Sequence, residues 1–359
     1  MSIGGMDHTG RARLREAQSQ FSPGNTYLNT ATHGLIPHAA RLALDRNTHE
    51  VATGGFSPGA VDSVVDAART AYARLVGVTA DRVAVGTHTS QFVGTVAATL
   101  PPGSEVLLAE GEFTSIVFPL MSRLEHGVRV REVPLDRLPD EVRPTTTLVA
   151  VAAVQSATGE IAPIEELRSA CADHGARLLL DTSQSAGWLS TPLDGVDYIV
   201  CSTYKWLLGP RGGAFLTGTD EALAELSPLA PGWFAGADPW DSLYGGPLRL
   251  AEGTRRLDLA PVWSAWIGLA PALDLLNEVG VATIHEHDAA LAERFRKAMG
   301  LAETGSAIMS LPVPEGTAER LAEAGITAAL RDGRLRVGFH LYNTEEDVDH
   351  LVKALSEIR

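Results

Sequence analysis

Short apolar runs alternate with helical stretches through the first two thirds of the chain, and this alternation constrains the fold more than any other feature. Five runs have the Val, Leu and Ile content of buried strands, namely residues 81–85, 104–109, 147–154, 176–181 and 197–202. The stretches between several of them have helical periodicity, and residues 164–175 end on the glycine that often follows a helix. Strands that are apolar on both faces and alternate with helices predict an α/β fold around a mainly parallel sheet.

The length of the chain suits one large domain or two moderate ones, since 45% of its 359 residues are hydrophobic. The alternating pattern gives way after about residue 262 to a long helical stretch over 263–280. A mixture of helix and strand follows, and it ends in an amphipathic helix over 345–355. We therefore expect an N-terminal arm at 1–20, a large domain at 21–255, and a linking helix with a small C-terminal α+β domain at 256–359.

The charge of the chain argues against nucleic acid and membranes as partners. It has 29 Lys and Arg against 44 Asp and Glu, a formal net charge of -15 that repels phosphate backbones and anionic lipids. No apolar run approaches a membrane span, and residues 1–18 lack the apolar core of a signal peptide, so we expect a cytoplasmic protein. Cys171 and Cys201 have neither metal-ligand nor disulfide spacing, so we expect both to be small buried residues and expect no metal site.

A carboxylate and an amine stand at the ends of two neighbouring predicted strands. Asp181 ends one strand and Lys205 follows the next, so both side chains are expected at the carboxyl edge of the sheet. Such a pair suits pyridoxal 5'-phosphate (PLP), because a lysine can form a Schiff base with it and an aspartate can pair with its protonated ring nitrogen. Taken alone, the pair favours an ordinary ion pair, because charged residues are common at strand ends.

A second polar stretch, G-T-H-T-S at residues 86–90, follows a predicted strand and opens a predicted helix. Its backbone N–H groups, its hydroxyls and the positive end of the helix favour a phosphate. A simple helix cap by Thr89 or Ser90 is the alternative.

Four motifs in this order resemble the class V aminotransferase family, which includes cysteine desulfurases, selenocysteine lyases, kynureninases and isopenicillin N epimerase. They are YLNTATHGLIP at 27–37, DTSQSAG at 181–187, STYKWLLGPRGG at 202–213 and LRVGFHLYNTEEDVD at 335–349. The resemblance covers the chain from about residue 26 onward. It implies a PLP-dependent fold type I enzyme with a mainly parallel seven-stranded sheet, a smaller C-terminal domain, and a homodimer with active sites near the subunit interface.

The resemblance also implies roles for individual residues. By position, Lys205 is the Schiff-base lysine and Asp181 the partner of the ring nitrogen, while Gln184 and Ser156 lie near the ring hydroxyl. Phe113 stands where a ring stacks on the cofactor, although a core position is the alternative. The phosphate positions are Thr87, His88, Thr89 and Ser202.

The substrate side of the site is implied by the last motif. Arg336 matches the arginine that binds the α-carboxylate of the substrate, which its planar fork of donors suits. His33 and Tyr204 are candidates for lining the same pocket. Arg211 serves either the fold or the pocket, and the sequence leaves this open.

These motifs predict an aminotransferase-like enzyme that acts on an α-amino acid. A carbon–sulfur lyase is the first alternative, and it would not form a persulfide, because residues 301–335 contain no cysteine. A regulator or scaffold that keeps the fold without catalysis is the second alternative. Transamination, β-elimination and racemisation begin from the same adduct, so the sequence leaves the reaction and the substrate side chain open.

Overall fold

A computed structural model describes residues 8–331 and 333–358 of the chain. The helices are α1 (His8–Gln18), α2 (His38–Thr53), α3 (Pro58–Val76), α4 (Thr89–Ala98), α5 (Thr114–Met121), α6 (Ile164–His174), α7 (Asp220–Glu225), α8 (Trp263–Val279), α9 (Val281–Met299), α10 (Thr317–Glu323) and α11 (Glu345–Glu357). The strands are β1 (Thr26–Tyr27), β2 (Ala84–Gly86), β3 (Glu105–Ala109), β4 (Arg129–Val133), β5 (Thr146–Ala152), β6 (Arg177–Asp181), β7 (Tyr198–Ser202), β8 (Ala214–Gly218), β9 (Ile308–Pro312), β10 (Ile326–Thr327), β11 (Ala329–Arg331) and β12 (Arg334–Gly338).

The main sheet has seven strands in the order β2-β8-β7-β6-β5-β3-β4. Every neighbouring pair is parallel except the two that involve β8. Side chains alternate between its two faces: Leu108 packs with Phe92 and Ile116 of α4 and α5, whereas Leu107 packs with Leu167 of α6. Burial on both faces explains the continuous apolar runs, and the predicted mainly parallel α/β sheet is confirmed.

A smaller antiparallel sheet, β11-β12-β9, forms the C-terminal part of the fold. Its buried side chains pack with those of α9 and α11. Two segments near the N-terminus also join this part, because β1 pairs with β10 and Asn29 bridges to Gly338. The domain boundaries expected near residues 20 and 255 stay predictions, and residues 1–7 of the expected arm lie outside the described residues, whereas 8–18 form α1.

The long helix expected over 263–280 is α8, which packs against α2 and α3 and ends before Gly280. Gly280 joins α8 to α9 with a positive φ of 85° and ψ of 136°, a conformation that glycine adopts readily. Within the described residues no single helix has the length and apolar content of a membrane span. Only α8 and α9 taken together would meet that requirement, and their axes differ by 83°.

A buried ion pair fixes the strand that leads to α4. Arg69 of α3 donates to both carboxylate oxygens of Asp258, at 3.1 and 2.7 Å, and to the carbonyl oxygen of Val83 at 2.6 Å. Asp258 also accepts from the backbone N–H of Val85. Because both side chains are buried and bonded to each other and to the backbone of β2 and its preceding residue, the pair holds β2 and the start of the loop to α4 in place.

Candidate active site

Asp181 and Lys205 are brought together by the pairing of two parallel strands. Asp181 is the last residue of β6 and lies opposite Val200 of β7, and Lys205 follows β7 after a short turn. Both residues are buried, with 5% and 7% of their surface exposed. The carboxyl edge of the sheet, where ligands bind in open α/β folds, therefore carries a buried carboxylate beside a buried amine.

Burial shifts the protonation of this pair in opposite directions. It lowers the pKa of Lys205 and raises the pKa of Asp181, and the charge of each residue partly offsets the effect on the other. A lysine with a lowered pKa holds more neutral amine near pH 7, which is the nucleophilic form. The chain has only three lysines, and the other two, Lys297 and Lys353, are exposed.

The turn that carries the lysine is held tightly against the N-terminal segment. Gly34 donates its N–H to the carbonyl oxygen of Tyr204 at 2.9 Å. A Cβ at Gly34 would lie 2.1 Å from the carbonyl oxygen of Lys205, so only glycine fits there. Leu208 closes the turn in the left-handed region at φ 57° and donates its N–H to the carbonyl of Lys205 at 3.2 Å.

His33 and Tyr204 lie beside the lysine, as expected for residues that line a pocket. Their rings are 5.7 Å apart, and the Tyr204 ring centroid is 5.8 Å from the Nζ of Lys205. The Nδ1 of His33 donates to the carbonyl oxygen of Gly34 at 2.7 Å, which fixes the orientation of the ring. Arg211 stacks on the other side of this group, with its guanidinium carbon 5.5 Å from the Tyr204 ring centroid.

Phe113 presents an accessible aromatic ring to the lysine. Its ring centroid is 5.3 Å from Nζ, and 46% of the residue is exposed, which does not fit the alternative core position. Glu112, which the sequence did not single out, fixes this position: it accepts hydrogen bonds from the N–H groups of Phe113 and Ala152 and from the amide of Gln155. An exposed ring backed by a buried, fully bonded carboxylate can stack on a flat heterocycle.

Gln184 links the lysine turn to the opposite wall of the site. Its Oε1 accepts from the indole N–H of Trp206 at 2.8 Å, and its Nε2 donates to the carbonyl of Ala31 and to the hydroxyl of Ser156. The side chain amide is therefore held in one orientation, close to Ser156. Gln184 and Ser156, the two residues predicted near the ring hydroxyl, therefore lie next to each other.

Arg336 is a buried cation without a carboxylate. Only 2% of the residue is exposed, and its Nη1 donates to the carbonyl and hydroxyl oxygens of Ser156 at 2.7 and 3.2 Å, while its Nη2 donates to the hydroxyl of Thr32 at 2.6 Å. Its buried Nε has no hydrogen-bond partner, and no carboxylate among the described residues forms an ion pair with it. Burial, with a smaller contribution from Arg331, lowers the pKa of Arg336 to about 10. Such a group favours an incoming anion.

The predicted phosphate residues lie at the N-terminus of α4 and at the end of β7. Thr89 is the first residue of α4, His88 precedes it, and the Thr87 hydroxyl contacts both His88 and Gln91. The first N–H groups of a helix lack acceptors within the helix. Ser202 supports a ligand here independently, because its hydroxyl is buried and has no hydrogen-bond partner among the described residues. The residues present therefore fit a bound phosphate.

The two cysteines are buried thiols, as the sequence predicted. Burial is the main cause that raises the pKa of both Cys171 and Cys201 to about 12. A sulfur-accepting cysteine must be a thiolate that can reach the substrate. Neither residue meets that requirement.

Behind the lysine, a buried Asp–His pair holds the tryptophan next to it. The Nδ1 of His340 is 2.8 Å from the Oδ2 of Asp288, and its Nε2 is 3.1 Å from the carbonyl oxygen of Trp206. A carbonyl oxygen can only accept, so the Nε2 of His340 donates to it, and the Nδ1 forms the hydrogen bond with the carboxyl group of Asp288, whose pKa burial raises. All these side chains are fully buried, so α9 is tied to the turn that carries Lys205.

We expect Asp288→Asn to lower the free energy of unfolding by about 3 kcal/mol, because it removes the buried carboxyl group that bonds to His340. Urea unfolding followed by circular dichroism measures this change. The matched control is Asp349→Asn, which removes a carboxylate from an exposed pair with Arg294 and should leave stability nearly unchanged. Equal stability losses in the two variants would show that the buried pair has no special role.

Comparison with known proteins places this site in a family. The model of the aminotransferase class V family matches residues 47–310, which is most of the chain. The chain belongs to the class V aminotransferase family. Members of this family are PLP-dependent, and the chain is an enzyme of the transferase or lyase type, so the resemblance inferred from the four motifs is confirmed.

Similar proteins are named for different activities. Isopenicillin N epimerase of Amycolatopsis lactamdurans is 30% identical, over 98% of this chain and 99% of the epimerase. A probable cysteine desulfurase of Methanothermobacter thermautotrophicus is 27% identical, over 81% and 82% of the two chains. Among solved structures, the cystine C–S lyase C-DES in complex with cysteine persulfide superposes with a TM-score of 0.84 at 22% identity, covering 93% of this chain and 98% of the lyase. That likeness confirms the fold.

Proposed function

We propose that this chain is an aminotransferase-like enzyme that binds PLP through Lys205 and acts at the Cα of an α-amino acid. One observation carries the proposal: the buried guanidinium of Arg336 has an unpaired Nε and, among the described residues, no carboxylate partner. It contacts Ser156, which in turn bonds to Gln184, so this cation lies on the wall of the pocket that holds Lys205. The α-carboxylate of an amino acid fits that position.

PLP supplies, when bound, an aldehyde that bonds to amines and a ring that stabilises negative charge at Cα. Each residue of the chain then has a separate task. Asp181 holds a proton on the ring nitrogen, and Phe113 stacks on the ring face. The first turn of α4, with Thr87, His88 and Thr89, and the unpaired hydroxyl of Ser202 bind the phosphate.

The same arrangement assigns the substrate contacts. The open edge of Arg336, made of Nε and the second hydrogen on Nη2, binds the α-carboxylate and orients the bond to be broken at Cα. The Nζ of Lys205 then moves the proton to or from Cα, a task for which its lowered pKa suits it. His33 and Tyr204 border the space where the substrate side chain lies.

The test of this function is a panel of amino acids and cysteine thio-conjugates mixed with the PLP-loaded protein. The cofactor absorbance reports binding, and assays for keto acid, pyruvate, sulfide and inverted substrate report the reaction. We expect at least one amino acid to change the absorbance and to yield keto acid. A protein that takes up no PLP, or that responds to no amino acid, would contradict the proposal and favour a non-catalytic regulator or scaffold.

A carbon–sulfur lyase is the second candidate. The burial of both cysteines determines whether such an enzyme would transfer sulfur to the protein or release it. Both thiols are buried with a pKa of about 12, and residues 301–335 contain no cysteine. A sulfur leaving group would therefore depart into solution instead of forming a protein persulfide. Pyruvate and sulfide without keto acid from the intact substrate would select this candidate over transamination.

The assembly and location of the protein stay proposals. We propose a homodimer, and exposed apolar side chains such as Tyr244 and Leu248, with 88% and 74% of their surface accessible, support it. A cytoplasmic location is proposed together with it, because both cysteines are free and buried, which suits a reducing compartment.

We expect Arg336→Ala to raise KM and to lower kcat/KM at least about 30-fold, because loss of a desolvated bidentate contact costs on the order of 2 to 5 kcal/mol. Cofactor absorbance and occupancy should stay close to wild type. Arg336→Lys should recover little, since an ammonium cannot reproduce the planar fork. Steady-state kinetics on any active amino acid measures the change.

The matched control is Arg334→Ala on the same strand, where the guanidinium bonds to Ser310 instead. Its kcat/KM should equal that of wild type. If Arg336→Ala stayed within about threefold of wild type, a loss well below 1.4 kcal/mol, another group would hold the carboxylate, and Arg211 would be the next candidate.

A further inference from the structure

We propose that the substrate carries a second carboxylate in its side chain and that Arg331 binds it. This inference rests on the proposed function, because it names the class of amino acid that the same pocket takes. Arg331 is the last residue of β11, the strand that pairs with β12, which carries Arg336. Arg336 would bind the α-carboxylate and Arg331 the side-chain carboxylate of an acidic amino acid or of a derivative of one.

The two guanidiniums meet at one hydroxyl group. The Nη2 of Arg336 and the Nη2 of Arg331 both donate to the Oγ1 of Thr32, at 2.6 and 3.3 Å. The remaining contact of Arg331 is from its Nη1 to the carbonyl oxygen of Leu330 at 2.8 Å. Two cations therefore converge on the substrate side of the pocket, and the charge of Arg331 also acts on Lys205 and Arg336.

No acidic side chain of the described ranges, 8–331 and 333–358, forms an ion pair with either arginine. Two arginines of α9 do have such partners: Arg294 pairs with Glu345 and Asp349, and Arg296 pairs with Glu293. Like charges this close repel one another, and an anion that binds between or beside them offsets this repulsion. The pocket therefore has enough unpaired positive charge to bind more than one carboxylate.

The exposure of the two arginines separates their roles. Arg336 is buried, and its open edge of Nε and Nη2 is sufficient for a bidentate contact with one carboxylate. Arg331 is exposed, so its donors are accessible from solvent beside the buried guanidinium of Arg336. A substrate whose α-carboxylate reaches Arg336 would then place a side-chain carboxylate at Arg331.

The test compares two unreactive ligands on the PLP-loaded protein, glutarate and the monocarboxylate butyrate, by isothermal titration calorimetry. Neither ligand has an amine, so binding is read without turnover. We expect wild type to bind glutarate about fivefold more tightly than butyrate, the range of a partly exposed ion pair, and to lose this preference as sodium chloride is raised. Arg331→Gln should bind both ligands equally, with butyrate affinity unchanged.

Arg334→Gln is the matched control, because it removes one positive charge from the neighbouring strand at a side chain that bonds to Ser310. It should keep the preference for glutarate. Equal binding of the two ligands by wild type would overturn the proposal, and this comparison holds even if Arg331→Gln fails to fold. An equal loss of affinity for both ligands in Arg331→Gln would also overturn it, since Arg331 would then bind the same carboxylate as Arg336.

The outcomes also separate this inference from the proposed function. A glutarate preference that depends on Arg331, in a protein that converts no amino acid, would reject the proposed function and keep the anion site. Conversion of neutral amino acids without any glutarate preference would keep the function and reject the second carboxylate.

Discussion

Replacing Lys205 by alanine is expected to lower turnover by several orders of magnitude and to end covalent attachment of the cofactor, while the fold stays largely intact. Its amine is the only buried lysine amine of the three in the chain, and it lies within 5.3 Å of the centroid of the Phe113 ring. Borohydride reduction followed by denaturation and mass spectrometry measures the attachment directly. Wild type should keep the cofactor mass on the peptide that contains residue 205, and the variant should not.

The chain offers two matched controls for this result. Lys297→Ala and Lys353→Ala remove exposed lysines, so both variants should keep the cofactor mass and wild-type turnover. Retention of the reduced cofactor by Lys205→Ala would contradict the assignment of Lys205 as the lysine that attaches it. The label on the peptide would then identify the lysine that attaches it.

Asp181→Asn is expected to slow turnover by several orders of magnitude and to change PLP affinity much less. An amide has no negative charge to hold a proton on the ring nitrogen, whereas Lys205 and the helix terminus at Thr89 still bind the cofactor. Rapid-mixing absorbance measurements after addition of an active amino acid give the rate of proton removal from Cα. Equilibrium dialysis with PLP gives the affinity.

A suitable control lies at the opposite edge of the same strands. Asp197 precedes β7, and its carboxylate bonds to Arg177 and to the N–H of Leu178. Asp197→Asn should reduce stability and leave the turnover of loaded protein unchanged. Near-normal proton removal in Asp181→Asn would refute the role of that carboxylate.

The parallel strands could be predicted because they are buried on both faces, so their sequences are continuously apolar. β4 lacked this signal, since three of its five residues are charged and it lies at the edge of the sheet. β1 gave none either, because it has two residues and pairs with β10 from the far end of the chain. Short strands of that kind depend on tertiary contacts, which a local pattern does not contain.

The residues of the site also fall into those that the sequence could predict and those that it could not. Asp181 and Lys205 could be placed together because the ends of adjacent parallel strands meet at one edge. Thr32, Glu112 and Arg331 could not, because each acts through hydrogen bonds to segments that are distant in sequence. A buried glutamate that fixes a backbone N–H looks in sequence like any surface glutamate.

The order in which the ribosome makes the chain gives the Arg336 contacts a further consequence. All seven strands of the main sheet, with Asp181 and Lys205, are synthesised before β12, and only β12 delivers Arg336 to Thr32 and Ser156. A nascent chain or a proteolytic fragment that stops short of β12 would contain Asp181 and Lys205 but not Arg336, so under the proposed function it would have the amine without the group that binds the α-carboxylate.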